Sequence, residues 1–539
     1  LWTSLGSYGR RMAGRNRGLR VVEVDGRGLG VIATRKFRAG DVLLEDAPLL
    51  LLPENACGTA QCQTLQQASA FDAGMWAGYF ACASLTTEEL AEVLALYAPM
   101  DSNKAALWRD LLEVAEPLVL DTISCFDAQL FLRINLAINF NCFGCQLPKL
   151  DGSGPGDFVG YALFRLACRM NHSCYPNACC QTLDSSGVMV ARALRDIAEG
   201  EEVCTTYLDA ASLLSPVHER QKRLYTQYEF TCQCSRCSAG YDDVLVFPCC
   251  QPGCLGTVHF RTTIDAVEGV AATRCSACGK LPSDEAVLTN ARREAELQEA
   301  LAVGAGEGSK VGLQPLHPHH HLTRQVAEAH YQASSCTGDH EGLVAAARLA
   351  AQSWGALAGA PCRLWAASRE QLGDALLLPC RSIGPAMGTG IPDAQLQEAY
   401  GHYQVAYQTL CIGHGPESPY SRVLSGKLVK MQVALKARGT PAGTLGKQRC
   451  VFCGWLSRPR RSRGCSLCHH SARGGPGRKS QQRASYRVEN NPSRCLGGRG
   501  GSAKQHSWRY HPWVAKYRRA HACRSRTPFE VASPSAAES

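Results

Sequence analysis

The amino-acid sequence predicts an α+β fold in which a β-rich region is divided by a helical insertion and followed by a cysteine-rich segment and a helical region. Three observations carry that expectation. Short apolar runs separated by Gly-containing turns begin at Leu19 and return at Ala178–Leu183 and Val188–Leu194, as strands do. Between them, from Ala60 to Asn141, apolar residues recur with helical spacing. From Glu285 to about Arg438, stretches rich in Ala, Leu, Gln and Glu read as paired helices. A chain of 539 residues suggests about two to four domains, and 45% hydrophobic against 19% charged residues excludes a collagenous or wholly disordered protein.

In chain order, residues 1–17 form a basic segment without the apolar core or small-residue cleavage site of a secretory signal. The first residue is Leu, as expected of a fragment or of a gene model whose true start is Met12. Strands are expected at Leu19–Val24, Val31–Thr34 and Asp41–Glu45, with turns at Asp25-Gly26-Arg27-Gly28-Leu29-Gly30 and Ala39-Gly40. The insertion, about residues 55–140, contains a helix start at Thr86-Thr87-Glu88-Glu89 followed by Leu90, Val93, Leu94 and Tyr97 on one face. Asp184-Ser185-Ser186-Gly187 then closes a hairpin, with Gly187 suited to a positive φ. Leu322–Ala333 and Ala394–Leu410 are expected helices of the C-terminal array, without a clean 34-residue repeat signature.

Charge divides the chain. Residues 18–285 carry 20 basic and 32 acidic residues, whereas residues 441–539 carry 20 basic and 3 acidic ones. The tail, 439–539, has the Arg, Gly, Ser and Pro composition of a disordered basic segment and equally that of an out-of-frame translation. No apolar run approaches the length of a membrane span. Twenty-nine cysteines without a secretion signal favour reduced thiols and metal ligands over disulfides, so an intracellular zinc protein is expected.

The most informative stretch is Asn171-His172-Ser173-Cys174-Tyr175-Pro176-Asn177, followed by Gly200-Glu201-Glu202 and Thr205-Thr206-Tyr207. With Gly26-Arg27-Gly28-Leu29 before it and Cys232-x-Cys234-x2-Cys237 after it, the ordered set resembles the SET-domain lysine methyltransferases, and among them the SET and MYND domain (SMYD) family. The resemblance covers residues 18–285, and 286–438 in helical character alone. It implies a SET-domain β-fold over 18–240 with a post-SET segment at 228–240, a zinc-ribbon-like segment at 241–285 and a TPR-like helical domain at 286–438. One departure stands out: residues 53–125 contain only Cys57, Cys62, Cys82 and Cys125, so the MYND finger is absent or replaced.

The resemblance implies S-adenosylmethionine as cofactor, bound by Arg27, Gly28, Leu29, Asn141, Cys168, Asn171, His172, Tyr207 and Phe230, with Tyr207 as the catalytic tyrosine. Gly26 and Gly28 leave the backbone open to a ligand, although a plain hairpin turn explains them too. Asn171 and His172 offer amide and imidazole groups for the two ends of the cofactor. Asn139 competes with Asn141 for the family's Asn-x-Phe element, and Cys168 stands where relatives place a small Ser. Tyr228 and Phe230 match positions lining the lysine channel, or are simple packing residues. The chemistry needs such a channel: presenting a lysine neutral at pH 7 costs about 4–5 kcal/mol in water, and desolvation lowers that cost.

For metal, Cys232, Cys234 and Cys237 supply three thiolates by spacing, and the resemblance adds Cys174 as the fourth ligand of a closed structural zinc site. A second set is Cys249 or Cys250 with Cys254, Cys275 and Cys278, the Cys249 register being favoured. Cys450, Cys453, Cys465 and Cys468 have zinc-ribbon spacing within the basic tail. His317, His319, His320 and His321 lie in a Pro-containing loop and are expected to be solvent-exposed rather than ligands. The expected function is transfer of methyl to the side-chain amine of lysine in histones or other proteins, in the nucleus or the cytoplasm. A non-catalytic SET-fold scaffold is the alternative, and nucleic-acid binding through the tail is a third expectation.

Overall fold

The structure, a computed structural model, describes residues 15–438 except 17, 54–55, 57, 149–154, 183–186, 262–270, 304–313, 358–362 and 379–390. The chain opens with strands β1 (Arg15–Asn16), β2 (Leu19–Val24), β3 (Gly28–Ala33), β4 (Val42–Asp46) and β5 (Pro48–Pro53). β2 and β3 form a hairpin in register Leu19↔Ala33 to Val24↔Gly28, and its turn holds Gly26 and Gly28 at φ of +65° and +69°. Positive φ at both positions is why the turn requires glycine.

Five helices follow: α1 (Ala60–Ala68), α2 (Ala73–Ala83), α3 (Thr87–Leu94), α4 (Asn103–Leu120) and α5 (Ala128–Asn141). α3 starts where the sequence indicates, with Thr86 and Glu89 forming a reciprocal capping box. It stops at Leu94, so Tyr97 lies beyond it with its ring exposed instead of on the helical apolar face. The insertion has its own aromatic core. Trp76 is fully buried against Phe131 at 4.4 Å between ring centroids, with Phe71, Tyr79 and Phe126 around it.

Strands β6 (Phe143–Pro148) and β7 (Pro155–Phe164) return from the insertion and join β5 in a three-stranded sheet of order β5-β7-β6. The sequence does not announce them, because glycines interrupt the apolar alternation; pairing of β7 with β5, and of β6 with β7, makes them strands. Gly160 passes so close to the backbone of Leu52 and Pro53 that a Cβ there has no room. β8 (Ala178–Thr182) and β9 (Met189–Ala193) form the expected hairpin, with Gly187 at φ +72°, and complete the antiparallel order β1-β4-β9-β8. The core between these sheets includes Val31, Leu43, Leu44, Phe164, Met170 and Ala191, each fully or almost fully buried.

The segment 200–205 threads between two partners. On one side Val203 N–H donates to Val31 C=O at 2.7 Å and Ala33 N–H to Glu201 C=O at 2.9 Å. On the other, His172 and Thr205 form a parallel bridge, with Ser173 N–H on Thr205 C=O at 2.8 Å and Thr205 N–H on Asn171 C=O at 3.0 Å. Residues far apart in sequence are thereby fixed side by side.

Helix α6 (Val217–Tyr228) leads into the cysteine-rich segment, where β10 (Val246–Pro248), β11 (Thr257–Arg261) and β12 (Ala271–Ala272) make a small antiparallel sheet. The helical region follows as α7 (Asp284–Val303), α8 (Thr323–Thr337), α9 (His340–Ser353), α10 (Arg363–Leu377), α11 (Asp393–His414) and α12 (Pro419–Ala437). Leu372, Leu396, Tyr403, Leu424, Met431 and Leu435 form its core. Its tie to the β-region includes Gln181 Nε2, which donates to Gly413 C=O at 2.9 Å at the end of α11. No helix among the described residues is long and apolar enough to cross a membrane. Cys450, Cys453, Cys465, Cys468 and the rest of the tail lie outside the described residues.

Candidate active site and cysteine centres

The threaded 200–205 segment delivers Tyr207 to the Asn171-His172 pair. Tyr207 N–H donates to His172 Nδ1 at 3.0 Å, and its hydroxyl donates to Met170 C=O at 2.9 Å. Its ring lies 4.9 Å from that of Tyr228, 5.4 Å from that of His172 and 6.3 Å, edge-on, from that of Phe230. Burial, reinforced by the neighbouring Cys168 and Cys204, pushes the Tyr207 pKa well above the usual tyrosine value. The phenol is therefore a proton donor and not a phenolate at neutral pH. Four rings meet here from three segments of the chain: His172, Tyr207, and Tyr228 with Phe230.

Asn171 Nδ2 donates to Glu202 Oε1 at 2.9 Å and sits 3.3 Å from Leu29 C=O. Arg27 closes the network, donating to Glu202 Oε2 at 2.5 Å and to His172 C=O at 2.6 Å. Gly30 makes this possible: a Cβ on it would lie 2.9 Å from both Asn171 Nδ2 and Glu202 Oε1 and 2.7 Å from Val24 Cγ2. A Cβ on Gly26 or Gly28 would meet nothing within 4 Å, so that edge of the hairpin is open to a ligand.

His172 differs from expectation. Its imidazole is buried, with Nδ1 occupied by the Tyr207 N–H and Nε2 3.2 Å from Cys174 Sγ. Both ring nitrogens are used inside the protein, so the imidazole does not offer itself to a ligand. With Nδ1 accepting, the neutral ring carries its hydrogen on Nε2, facing the sulfur. Burial holds that ring neutral, pushing its pKa down to about 3.

Asn141, at the end of α5, is buried and donates through Nδ2 to Tyr97 C=O and Ala137 C=O, both at 2.7 Å. Cys168 Sγ is 3.3 Å from Asn141 C=O and accepts the Phe164 N–H at 3.1 Å. Cys168 thus joins β7 to the last turn of α5 through its side chain.

The sulfurs of Cys174, Cys232, Cys234 and Cys237 all lie within 4.8 Å of one another. Cys174 Sγ is 3.5 Å from Cys237 Sγ and 4.0 Å from Cys232 Sγ. Four sulfurs at Zn–S bonds of about 2.3 Å in a tetrahedron stand roughly 3.8 Å apart, so this set fits a zinc ion. Arg220, fully buried, directs Nη2 at Cys237 Sγ (3.7 Å) and faces Asp242. Burial would lower its pKa, but Asp242 and the Cys174 and Cys237 sulfurs outweigh that and raise it. A fixed cation of this kind offsets the excess negative charge of four thiolates. Arg220 and Asp242 carry no sequence signal; only the fold brings them here.

Cys249, Cys254, Cys275 and Cys278 form a second such set, with Cys249–Cys278 at 3.8 Å and Cys254–Cys275 at 3.6 Å. The favoured register is the one in this set, and Cys250 points elsewhere, exposed. The histidine loop departs from expectation: His319 is exposed, but His320 is buried and His321 nearly so at the side chain. They are covered because 317–322 packs under β10, Phe247 lying 4.9 Å from the His320 ring.

The insertion is tied to the aromatic site at the start of α4, where Lys104 Nζ also donates to Gln227 C=O at 3.1 Å. Glu229, the only non-glycine residue at positive φ among the described residues (φ 58°), accepts the N–H of Asn103 at 2.9 Å and of Lys104 at 3.0 Å. From between Tyr228 and Phe230 it completes the cap of α4, whose N-cap Ser102 already accepts the Ala105 N–H at 3.0 Å.

Residues 28–208 match the family model for the SET domain, and the chain is similar to members of the SMYD group. It is 41% identical over 101 residues to protein-lysine N-trimethyltransferase SMYD5 of Gallus gallus, covering 18% of this chain and 24% of that protein. It is 26% identical over 274 residues to histone-lysine N-methyltransferase ASHR1 of Arabidopsis thaliana, covering 42% and 56%, and 41% identical over 102 residues to N-lysine methyltransferase SMYD2 of Homo sapiens, covering 19% and 21%. The chain therefore spans about a quarter of the length of the SMYD5 and SMYD2 relatives and about half of ASHR1. A solved structure of the SET domain of LSMT bound to lysine and AdoHcy aligns with 81% of this chain and 92% of its own at 12% identity, with a TM-score of 0.25.

Proposed function

We propose that this protein is a protein-lysine N-methyltransferase that uses S-adenosylmethionine, acting on lysine in histones or other proteins inside the cell, in nucleus or cytoplasm. The observation that carries the proposal is the placement of the buried, protonated Tyr207 hydroxyl among the rings of Tyr228 and Phe230, beside Asn171. The open hairpin edge at Arg27, Gly28 and Leu29, with Asn171, the Asn141–Cys168 pair and Phe230, would hold the cofactor. His172 would contribute through its backbone and its support of Tyr207 rather than its ring. The bound cofactor supplies an electrophilic methyl group on a sulfonium sulfur.

The residues of the chain do the rest. The rings of Tyr207, Tyr228 and Phe230 form an apolar wall that desolvates a lysine ammonium and favours its neutral form. The Tyr207 hydroxyl, anchored to Met170 C=O, orients the amine for in-line attack. Zinc at Cys174, Cys232, Cys234 and Cys237 would tie the Tyr228–Phe230 segment back to the Asn-His motif, and zinc at Cys249, Cys254, Cys275 and Cys278 would hold the β10–β12 segment. Both sites are structural in this reading, and the helical pairs of 286–438 form a TPR-like array for partner or substrate contact.

The test is transfer of labelled methyl from S-adenosylmethionine to core histones and to a cell lysate, by the chain and by Tyr207→Phe. Label on lysine that drops about 10²-fold or more in the variant, with cofactor binding retained, is the expected result. A chain that holds its zinc but does not bind the cofactor overturns the proposal.

A further inference from the structure

The loop His317-Pro318-His319-His320-His321 is used by neither the SET-domain site nor the two cysteine centres, yet it is not a surface tract. His320 Nε2, His321 Nε2 and a carboxylate oxygen of Glu294 on α7 lie within 4.8 Å of one another. His321 Nε2 is 2.7 Å from Glu294 Oε1, and His320 Nε2 is 3.8 Å from the same oxygen. His320 is the telling member. Its side chain is fully buried, and its Nε2 has no hydrogen-bond partner although it is aimed at the carboxylate. An orphaned buried polar atom costs about 1–3 kcal/mol unless something occupies its lone pair or hydrogen.

We propose that Glu294, His320 and His321 form a third metal site, which takes a zinc-class divalent ion through two imidazoles and one carboxylate, with water at the remaining position.

The donor set is one that zinc accepts, at Zn–N of about 2.0–2.1 Å and Zn–O of about 2.0–2.2 Å. Those bond lengths place tetrahedral ligands roughly 3.4 Å apart, and the observed separations of 2.7 and 3.8 Å straddle that span. Exposure falls in order: Glu294 is 21% exposed at its side chain, His321 8% and His320 0%. An ion therefore enters from the Glu294 side, where its open position meets solvent. Burial keeps His320 neutral, the state a ligand needs. Its Nδ1 now stands 3.3 Å from the Leu322 N–H; metal at Nε2 would move the ring hydrogen to Nδ1 and give up that long contact. The ligands are set by three segments: α7, the histidine loop, and the approach to β10, where Val244 C=O accepts the His321 N–H at 3.0 Å and Phe247 packs on His320. The ion would pin the cysteine-rich segment to the first helix of the helical region.

The test uses the full chain and zinc ion alone. Metal content after equilibration with buffered free Zn²⁺ is measured for the wild type, Glu294→Gln and His321→Ala, with circular dichroism to confirm folding. The expected result is one zinc equivalent fewer in each folded variant, whatever the content of the cysteine centres. Loading the wild type with Co²⁺ should add one equivalent lacking thiolate-to-metal charge-transfer absorption, and Glu294→Gln should lose that equivalent. Where a variant unfolds, the wild-type Co²⁺ spectrum decides alone. Equal zinc content in wild type and folded variants, or a wild type whose every cobalt equivalent shows thiolate charge transfer, overturns the proposal.

Discussion

Replacing Glu229 should loosen the wall of the aromatic site without touching its rings. The carboxylate makes two charge-assisted hydrogen bonds to the first N–H groups of α4, at 2.9 and 3.0 Å, in a half-buried setting. Anions so placed at a helix N-terminus contribute up to about 2 kcal/mol. Against that, an L-residue in the left-handed region costs about 1 kcal/mol relative to glycine. Glu229→Ala keeps the strain and loses the cap, a net loss of about 2 kcal/mol; Glu229→Gly loses the cap but sheds the strain, a net loss of about 1 kcal/mol. At roughly 1.4 kcal/mol per factor of ten, local opening should rise about 30-fold in the Ala variant and about 5-fold in the Gly variant. Hydrogen exchange of the Asn103 and Lys104 amides reads this directly, and under the proposed activity the KM for a lysine substrate should rise in the same order. If both amides exchange at the wild-type rate in Glu229→Ala, the carboxylate caps nothing. If Gly and Ala variants exchange equally, the backbone-strain part of the reasoning fails.

Gly30→Ala should reduce cofactor binding, because its methyl would displace Asn171 and Glu202; a cost of about 1–3 kcal/mol is expected in calorimetric titration and thermal melting. Asp46 accepts the N–H groups of Leu166 and Ala167 through one oxygen, and burial raises its pKa in spite of those bonds and of Arg165. The native state then holds the proton more tightly than the unfolded state, so this group lowers stability as pH rises from about 3.9 through its raised folded value. Asp46→Asn, which keeps an acceptor, should remove that slope and be at least as stable at pH 7, as urea midpoints from pH 4 to 7 would show; a variant weaker at pH 7 contradicts this account. Cys237→Ser should lose one zinc equivalent and, with it, the order of the Tyr228–Phe230 segment, measured by metal content and by protease sensitivity there.

The strands β2 to β4, the β8–β9 hairpin and the helix start at Thr86 were legible because each rests on local chemistry: glycine at positive φ, a capping box, period-two apolarity. β6 and β7 were not, since β7 is a strand through pairing with β5, more than 100 residues earlier, and β6 is one only because it pairs with β7. Among site residues, Tyr207, Asn171 and the eight cysteines could be named in advance from motif and spacing. Glu202 was within a quoted motif but its partners Arg27 and Asn171 were not readable from it, and nothing in the sequence marks Glu229, Arg220 or Asp242.

By itself, then, the sequence determined the order of elements, the separation of an acidic body from a basic tail, and which side chains are candidates for metal binding and for the proposed methyl transfer. Tertiary structure alone decided how those side chains are used. It turned His172 inward to serve Tyr207 and Cys174, set Glu229 across the start of α4, and buried His320 beside Glu294. The physical reason is that propensity, capping and spacing act over a few residues, whereas burial and the pairing of polar groups depend on which distant segments pack together.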